Sequence, residues 1–276
     1  MKLGISYNLF DGKELLEASL KSVREEAFHI NVVYQTTSYY GNNSSPYIKD
    51  FLLNLKNKGL IDEIFHYERD FSKNDKHYFE REKRNIGLSI ARKRGCTHFL
   101  SMDVDEFYDR EQLKKAKKYI ERKRIKTSAV SIIEYLKQPF YKIVDGYTFM
   151  PSNPYNFYVP FIMKIHRFWP QKHNRKWYPC IVDPSRALNN REKFYLFSKQ
   201  DIVMHHMCTV RKNLYNKYAN SNLNQGNDCV KSSIRKLHQD ILNWQFEDYR
   251  IGNTNYSLFN GRIIEKVENQ FNIPVF

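Results

Sequence analysis

Over its first 135 residues the chain alternates two hydrophobic periods, and this alternation limits the folds open to it. Residues 3–7 and 30–34 are short apolar runs, the second rich in β-branched residues. Between them, after the Asp11-Gly12 turn, residues 14–24 carry Leu15, Leu16, Ser19, Leu20 and Val23 at helical spacing. The pattern repeats as helix 47–58 closed by Gly59, strand 61–67, helix 80–94 closed by Gly95, strand 98–102, helix 111–122 and strand 128–135. Strands alternating with helices of about 10–15 residues build right-handed βαβ units and a mainly parallel sheet covered on both faces. The expected class is therefore α/β. Ligands of such sheets bind beyond the carboxyl ends of the strands, so chemistry is expected just after Tyr7, Tyr34, Tyr67 and Met102.

Beyond Tyr135 the pattern changes. Pro139, Pro151, Pro154, Pro160, Pro170, Pro179 and Pro184 interrupt a stretch dense in Tyr and Phe. It reads as an irregular wall with antiparallel strands such as 161–168. Helical patterns return over 210–219 and 228–246. The simplest division is one domain over 1–206 and a helical C-terminal extension over 207–276.

Composition narrows the class further. Of 276 residues, 45 are Lys or Arg and 30 are Asp or Glu, a net charge of +15. Aromatics make up 15%, which excludes a disordered chain. Four scattered cysteines (Cys96, Cys180, Cys208, Cys229) form no CxxC pair, so reduced thiols are expected rather than a zinc ribbon or disulfide framework. No run approaches the roughly 18 apolar residues of a membrane span. The start runs straight into a strand pattern without an apolar leader, from which a cytoplasmic location is expected. The positive charge points to polyanionic partners. It is concentrated: residues 110–126 hold nine basic residues against Glu111 and Glu121, a local net of +7.

The acidic run Asp103-Val104-Asp105-Glu106 follows the apolar strand Phe99-Leu100-Ser101-Met102. In an extended chain Asp103 and Asp105 point to the same side. Two carboxylates at the mouth of a parallel sheet suit Mg²⁺ or Mn²⁺, which takes oxygen ligands and retains waters and phosphates. The alternative is a helix cap, with Asp105 or Asp109 bonded to the helix that follows.

Lys83-Arg84-Asn85-x-Gly87-x-x-x-Ala91, then Gly95, then Phe99-Leu100-Ser101-Met102-Asp103-Val104-Asp105-Glu106 resembles the core of GT-A fold glycosyltransferases, close to family 2. The opening Ile5-Ser6-Tyr7-Asn8 and its following helix are similar to that family's first unit. The resemblance covers about residues 1–135. It implies a Rossmann-like nucleotide-sugar-binding fold with a donor half at about 1–135 and an acceptor half at about 136–206. It implies a hexosyl- or pentosyltransferase using a nucleotide-sugar, with a UDP-sugar the first expectation and manganese or magnesium as the metal. Asp103 would face the ribose or the metal, Asp105 would bind the metal that bridges the diphosphate, and Lys83, Arg84 and Asn85 would lie near the donor. The base would sit near Tyr7, Asn8 and Gln35. Gln35 departs from the family pattern, in which an acidic residue commonly follows the second strand.

Met204-His205-His206-Met207 resembles the element by which several GT-A enzymes complete the metal site, with His206 preferred to His205. Arg211 and Lys217 would then approach the diphosphate. The alternative is two histidines hydrogen-bonded at a strand end. For the catalytic base, Glu134, Asp183 and Asp145 are the candidates, and inversion and retention both stay open.

The stretch 164–176 interleaves cations with aromatics, which suits a glycan acceptor or nucleic acid. A glycan acceptor is expected first, presented in one version at an anionic membrane surface. The rival is DNA with hydroxylated bases, as modified by bacteriophage glycosyltransferases. A non-catalytic nucleic-acid-binding α/β protein is the alternative of another class.

Overall fold

Strand β1 (Leu3–Leu9) sends Leu3, Ile5, Tyr7 and Leu9 into the main core and Gly4, Ser6 and Asn8 to the opposite face. Helix α1 (Lys13–Val23) buries Leu15, Leu16, Ser19, Leu20 and Val23. Strand β2 (His29–Tyr34), helix α2 (Ile48–Asn57), strand β3 (Glu63–His66), helix α3 (Lys76–Lys93) and strand β4 (His98–Asp103) continue the alternation. The strands lie parallel in the order β3-β2-β1-β4. The computed structural model describes residues 1–38, 41–70, 76–144, 158–166, 178–183, 185–187, 193–220, 228–245 and 264–276. Asp145 and most of the basic-aromatic stretch, residues 167–177, lie outside the described residues.

After β4 the chain changes sheet. Strand β5 (Glu106–Phe107), helix α4 (Arg110–Lys123), strand β6 (Thr127–Glu134), strand β7 (Tyr141–Ile143), strand β8 (Tyr158–Pro160), strand β9 (Met163–Lys164), strand β10 (Phe194–Leu196) and strand β11 (Val203–His206) follow. A second sheet runs β10-β6-β11-β5, with β8 antiparallel on β6. Residues 103–106 thus cross from the first sheet to the second. A second crossing explains why 161–168 is not one strand: β8 pairs with β6, and two residues later β9 pairs antiparallel with β4. The α/β class with a mainly parallel central sheet is borne out. Asp109 caps α4, its Oδ1 accepting the Gln112 N–H at 2.8 Å; Asp105 has other partners.

Helix α5 (Leu214–Ala219) starts later than the hydrophobic pattern suggests, because Asn213 caps it by accepting the Asn216 N–H at 3.0 Å. The residues ahead of it form turns instead. Helix α6 (Asp228–Asn243) and strand β12 (Ile264–Lys266), antiparallel to β7, complete the chain. Leu214, Tyr218, Leu237, Ile241, Trp244 and Ile264 form a small core with Leu136 and Ile143. The final residues return to the main domain, where Phe271 and Ile273 pack with Phe107 and Tyr135. Among its described residues the C-terminal region carries two helices and one returning strand.

Candidate active site

Gly87 brings α3 onto the sheet. A Cβ there would lie 1.8 Å from Ser6 Oγ on β1. Ser6 Oγ donates to Asn31 Oδ1 at 2.7 Å, and Asn31 Nδ2 donates to the Gly87 carbonyl at 3.2 Å, which ties the helix to β1 and β2. One turn earlier, Lys83 and Arg84 consequently stand at the strand ends. Arg84 is buried. It donates from Nη1 to Ser101 Oγ at 2.8 Å and from Nη2 to Glu80 at 3.0 Å and to both Asp103 oxygens at 3.0 and 3.1 Å.

Asp103 receives a second guanidinium. Arg186 Nη2 lies 2.7 Å from Asp103 Oδ2. The same side chain forks onto Glu106, with Nη1 at 2.6 Å from Oε2 and Nη2 on Oε1. Glu106 Oε2 also accepts the Asp103 N–H at 3.0 Å. Burial alone would raise the Asp103 carboxyl, but Arg84 and Arg186 outweigh it and hold the group ionised well below its usual range. Burial pushes Glu106 upward against the pull of Arg186. Asp103 is thus a carboxylate clamped between two arginines at a cavity edge.

Asp105 is buried and surrounded by cations on one oxygen. Arg211 Nη2 and Lys217 Nζ donate to Oδ2 at 2.5 and 2.8 Å, and His206 Nε2 lies 3.7 Å from the same atom. Arg211 reaches it by lying over the turn that opens α1. A Cβ at Gly12, whose φ is +79°, would sit 1.3 Å from Arg211 Nη1, so only glycine fits there.

The register β5–β11, which sets His206 opposite Glu106, delivers the histidine. His206 Nδ1 and Glu134 Oε1 are 2.8 Å apart. Burial opposes protonation of the ring, but Glu134 and Asp105 outweigh it and raise the pKa to about 10. His205 points elsewhere, to the Tyr135 hydroxyl at 2.9 Å, and follows the structural alternative. Asp105, His206 and Cys208 place a carboxylate oxygen, a ring nitrogen and a sulfur within 4.8 Å of one another. That donor set fits a divalent transition ion.

These groups border a cavity of about 290 Å³ lined by Asn8, Asp11, Lys83, Arg84, Asp103, Asp105, Arg211 and Lys217, among others. Both amide atoms of Asn8 are buried without a hydrogen-bond partner. Gln35 is buried at the end of β2 with its Oε1 unpaired, and Asn85 Oδ1 is unpaired on α3. Tyr7 lies on the other face of β1. It is fully buried, with its hydroxyl 3.0 Å from Ser19 Oγ, and does not reach the cavity. Neither candidate base that is described stands free. Glu134 holds His206, and Asp183 holds Arg186 Nε at 2.9 Å while accepting from Ser185. Arg186, Glu106 and Cys208 are the site residues that sequence reasoning did not single out.

No family model matches the chain, and no curated protein matches it. Solved structures do. Residues 1–349 of S. aureus TarS, in complex with UDP-GlcNAc, match at 17% identity over 55% of this chain and 39% of that one, with a TM-score of 0.35. S. aureus TarS matches at 11% identity over 90% of this chain and 45% of that one, with a TM-score of 0.44. Mannose-1-phosphate geranyltransferase from Thermus thermophilus matches at 14% identity over 59% and 50%, with a TM-score of 0.32. The chain thus spans less than half the length of the first two. The residue roles that follow rest on the site's own geometry.

Proposed function

We propose that this protein transfers a sugar from a nucleotide-sugar donor, a UDP-sugar in the first instance, to a hydroxyl of a glycan acceptor. The observation that supports this is the convergence of Lys83, Arg211 and Lys217 on an acidic strand end within one cavity. Three cations suit a diphosphate, and Asn8 offers an unpaired amide to the donor. Asp105 and His206 would hold a divalent cation, which supplies charge stabilisation to the departing nucleotide. An oxygen–nitrogen donor pair favours Mn²⁺ over Mg²⁺. Glu134 keeps the His206 ring oriented, and Arg84 and Arg186 keep Asp103 ionised for a ribose hydroxyl.

Helix α4 supplies a surface for the acceptor. Lys115, Lys118 and Arg122 are exposed along one face of it and line a groove of about 750 Å³ with Tyr119 and Tyr195. Such a surface suits an anionic glycan, an anionic membrane or DNA, which keeps transfer to hydroxylated DNA bases as the second reading. No helix among the described residues is long and apolar enough to cross a membrane.

The test is nucleotide release from a panel of nucleotide-sugars, with and without Mn²⁺, for wild type and Asp105→Asn. Metal-dependent release of one nucleoside diphosphate, lost in D105N, is expected. Release that ignores both metal and D105N refutes the reading. DNA binding that survives D105N without any release would instead mark a non-catalytic nucleic-acid-binding protein.

A further inference from the structure

Cys208 follows His206 by two residues, and the chain around it decides where its sulfur sits. Met207, between them, turns into the core with Phe107 and Tyr135, and its N–H donates to the Asp105 carbonyl at 2.7 Å. Thr209 is buried. Its hydroxyl donates to the Tyr135 carbonyl at 2.8 Å and accepts the Lys137 N–H at 3.1 Å. The Val210 N–H closes the turn on the Met207 carbonyl at 3.1 Å. The turn is thus pinned on both sides of Cys208, which stands half-exposed with a free thiol.

We propose that Cys208 is the third protein ligand of the cation held by Asp105 and His206, which makes the centre one oxygen, one nitrogen and one sulfur. This rests on the metal reading given above and extends it. The three donor atoms already lie within 4.8 Å of one another. Ligand atoms around one tetrahedral ion of this kind are about 3.5 Å apart, so small side-chain rotations close the set. Arg211, Lys217 and His206 all contact Asp105 through Oδ2, and Oδ1 lies outside those contacts. Three protein donors leave a coordination position for a phosphate oxygen, as open metal sites do. Sulfur is a soft donor that favours Zn²⁺ or Co²⁺, ranks Mn²⁺ below them and disfavours Mg²⁺ most. The thiol proton and the extra ring proton of His206 both pass to solvent as the ion binds.

Cobalt reads the sulfur directly. Wild type, Cys208→Ser, Cys208→Ala and His206→Ala are titrated with Co²⁺ and followed by near-ultraviolet absorption, with circular dichroism verifying the fold of each. The expected result is a thiolate-to-cobalt charge-transfer band in wild type. Both Cys208 variants should lose it and bind Co²⁺ at least about tenfold more weakly, and His206→Ala should lose it too. A band that persists in C208S and C208A belongs to another thiol and overturns the proposal. Equal Co²⁺ affinity in wild type and both Cys208 variants, with no band in any, also overturns it while the Asp105–His206 metal site stands. Absence of Co²⁺ binding to wild type sinks both.

Discussion

Arg186 meets Glu106 through both arms of its guanidinium, and both side chains are buried where the two sheets join. Eighty residues separate them in sequence. The same guanidinium reaches Asp103 and Asp183, so one cation is shared among three carboxylates.

Removal of that cation leaves Glu106 buried without its ion-pair partner. Arg186→Met is expected to cost about 3–5 kcal/mol of stability, because an uncompensated buried charge is left behind. The Arg186→Met/Glu106→Leu double variant should be less destabilised than Arg186→Met alone. Denaturant unfolding measures both. An Arg186→Met protein as stable as wild type contradicts the role.

Gly87 is expected to tolerate no side chain. Gly87→Ala places a methyl against Ser6 Oγ, and overpacking of this kind costs about 1–3 kcal/mol. Ser6→Gly in the same chain removes the obstructing atoms and should restore part of the loss, as read by denaturant midpoints. Additive losses from the two changes would show that the contact is not the cause.

Much of this site was legible along the chain. Asp103 and Asp105 end an apolar strand, His206 ends another, and Arg211 and Lys217 follow at short range. Other parts depended on what meets across the fold. The sequence shows two nearby carboxylates but not which cations land on them, so the pairing of Asp103 with Arg186 and of Asp105 with Arg211 and Lys217 had no local signal. Cys208 carries no CxxC or spaced-histidine signal, and its closeness to His206 relies on Met207 turning inward. Tyr7 was decidable. The run Leu3, Ile5, Tyr7, Leu9 alternates with Gly4, Ser6, Asn8, and that period of two puts Tyr7 in the core and Asn8 at the cavity. The split into two sheets had no local signal, since strands of both sheets share one hydrophobic pattern.

Lys83 gives the donor site a pH dependence. Burial lowers its pKa to about 8, against the pull of Glu80 and Asp103. Below that pH the ammonium is charged and attracts a diphosphate, and above it the charge is lost. Nucleoside diphosphate affinity at fixed metal is therefore expected to fall as pH rises through about 8. Lys83→Arg, which stays charged, should flatten that step, and Lys83→Met should weaken binding about 10–100-fold at neutral pH. Identical pH profiles for wild type and Lys83→Arg would remove Lys83 from the account.

The basic face of α4 is expected to bind polyanions. Lys115→Glu/Lys118→Glu/Arg122→Glu should elute from an immobilised polyanion at lower salt than wild type, beyond what the change in net charge produces when three exposed cations elsewhere are reversed. Equal elution of the two triple variants rules out a dedicated surface. Gel retardation of DNA across a salt series then separates the acceptors, since phosphate contacts give a steep salt dependence.

Asp105 is expected to serve a metal-dependent diphosphate site. Calorimetry of UDP binding with Mn²⁺, with chelator in place of Mn²⁺, and with Mn²⁺ on Asp105→Asn tests it most directly. UDP is expected to bind with Mn²⁺ and to bind at least about tenfold more weakly, some 1.4 kcal/mol, in both of the other cases. Equal affinity in all three, or no binding of any nucleoside diphosphate in the presence of Mn²⁺, contradicts it.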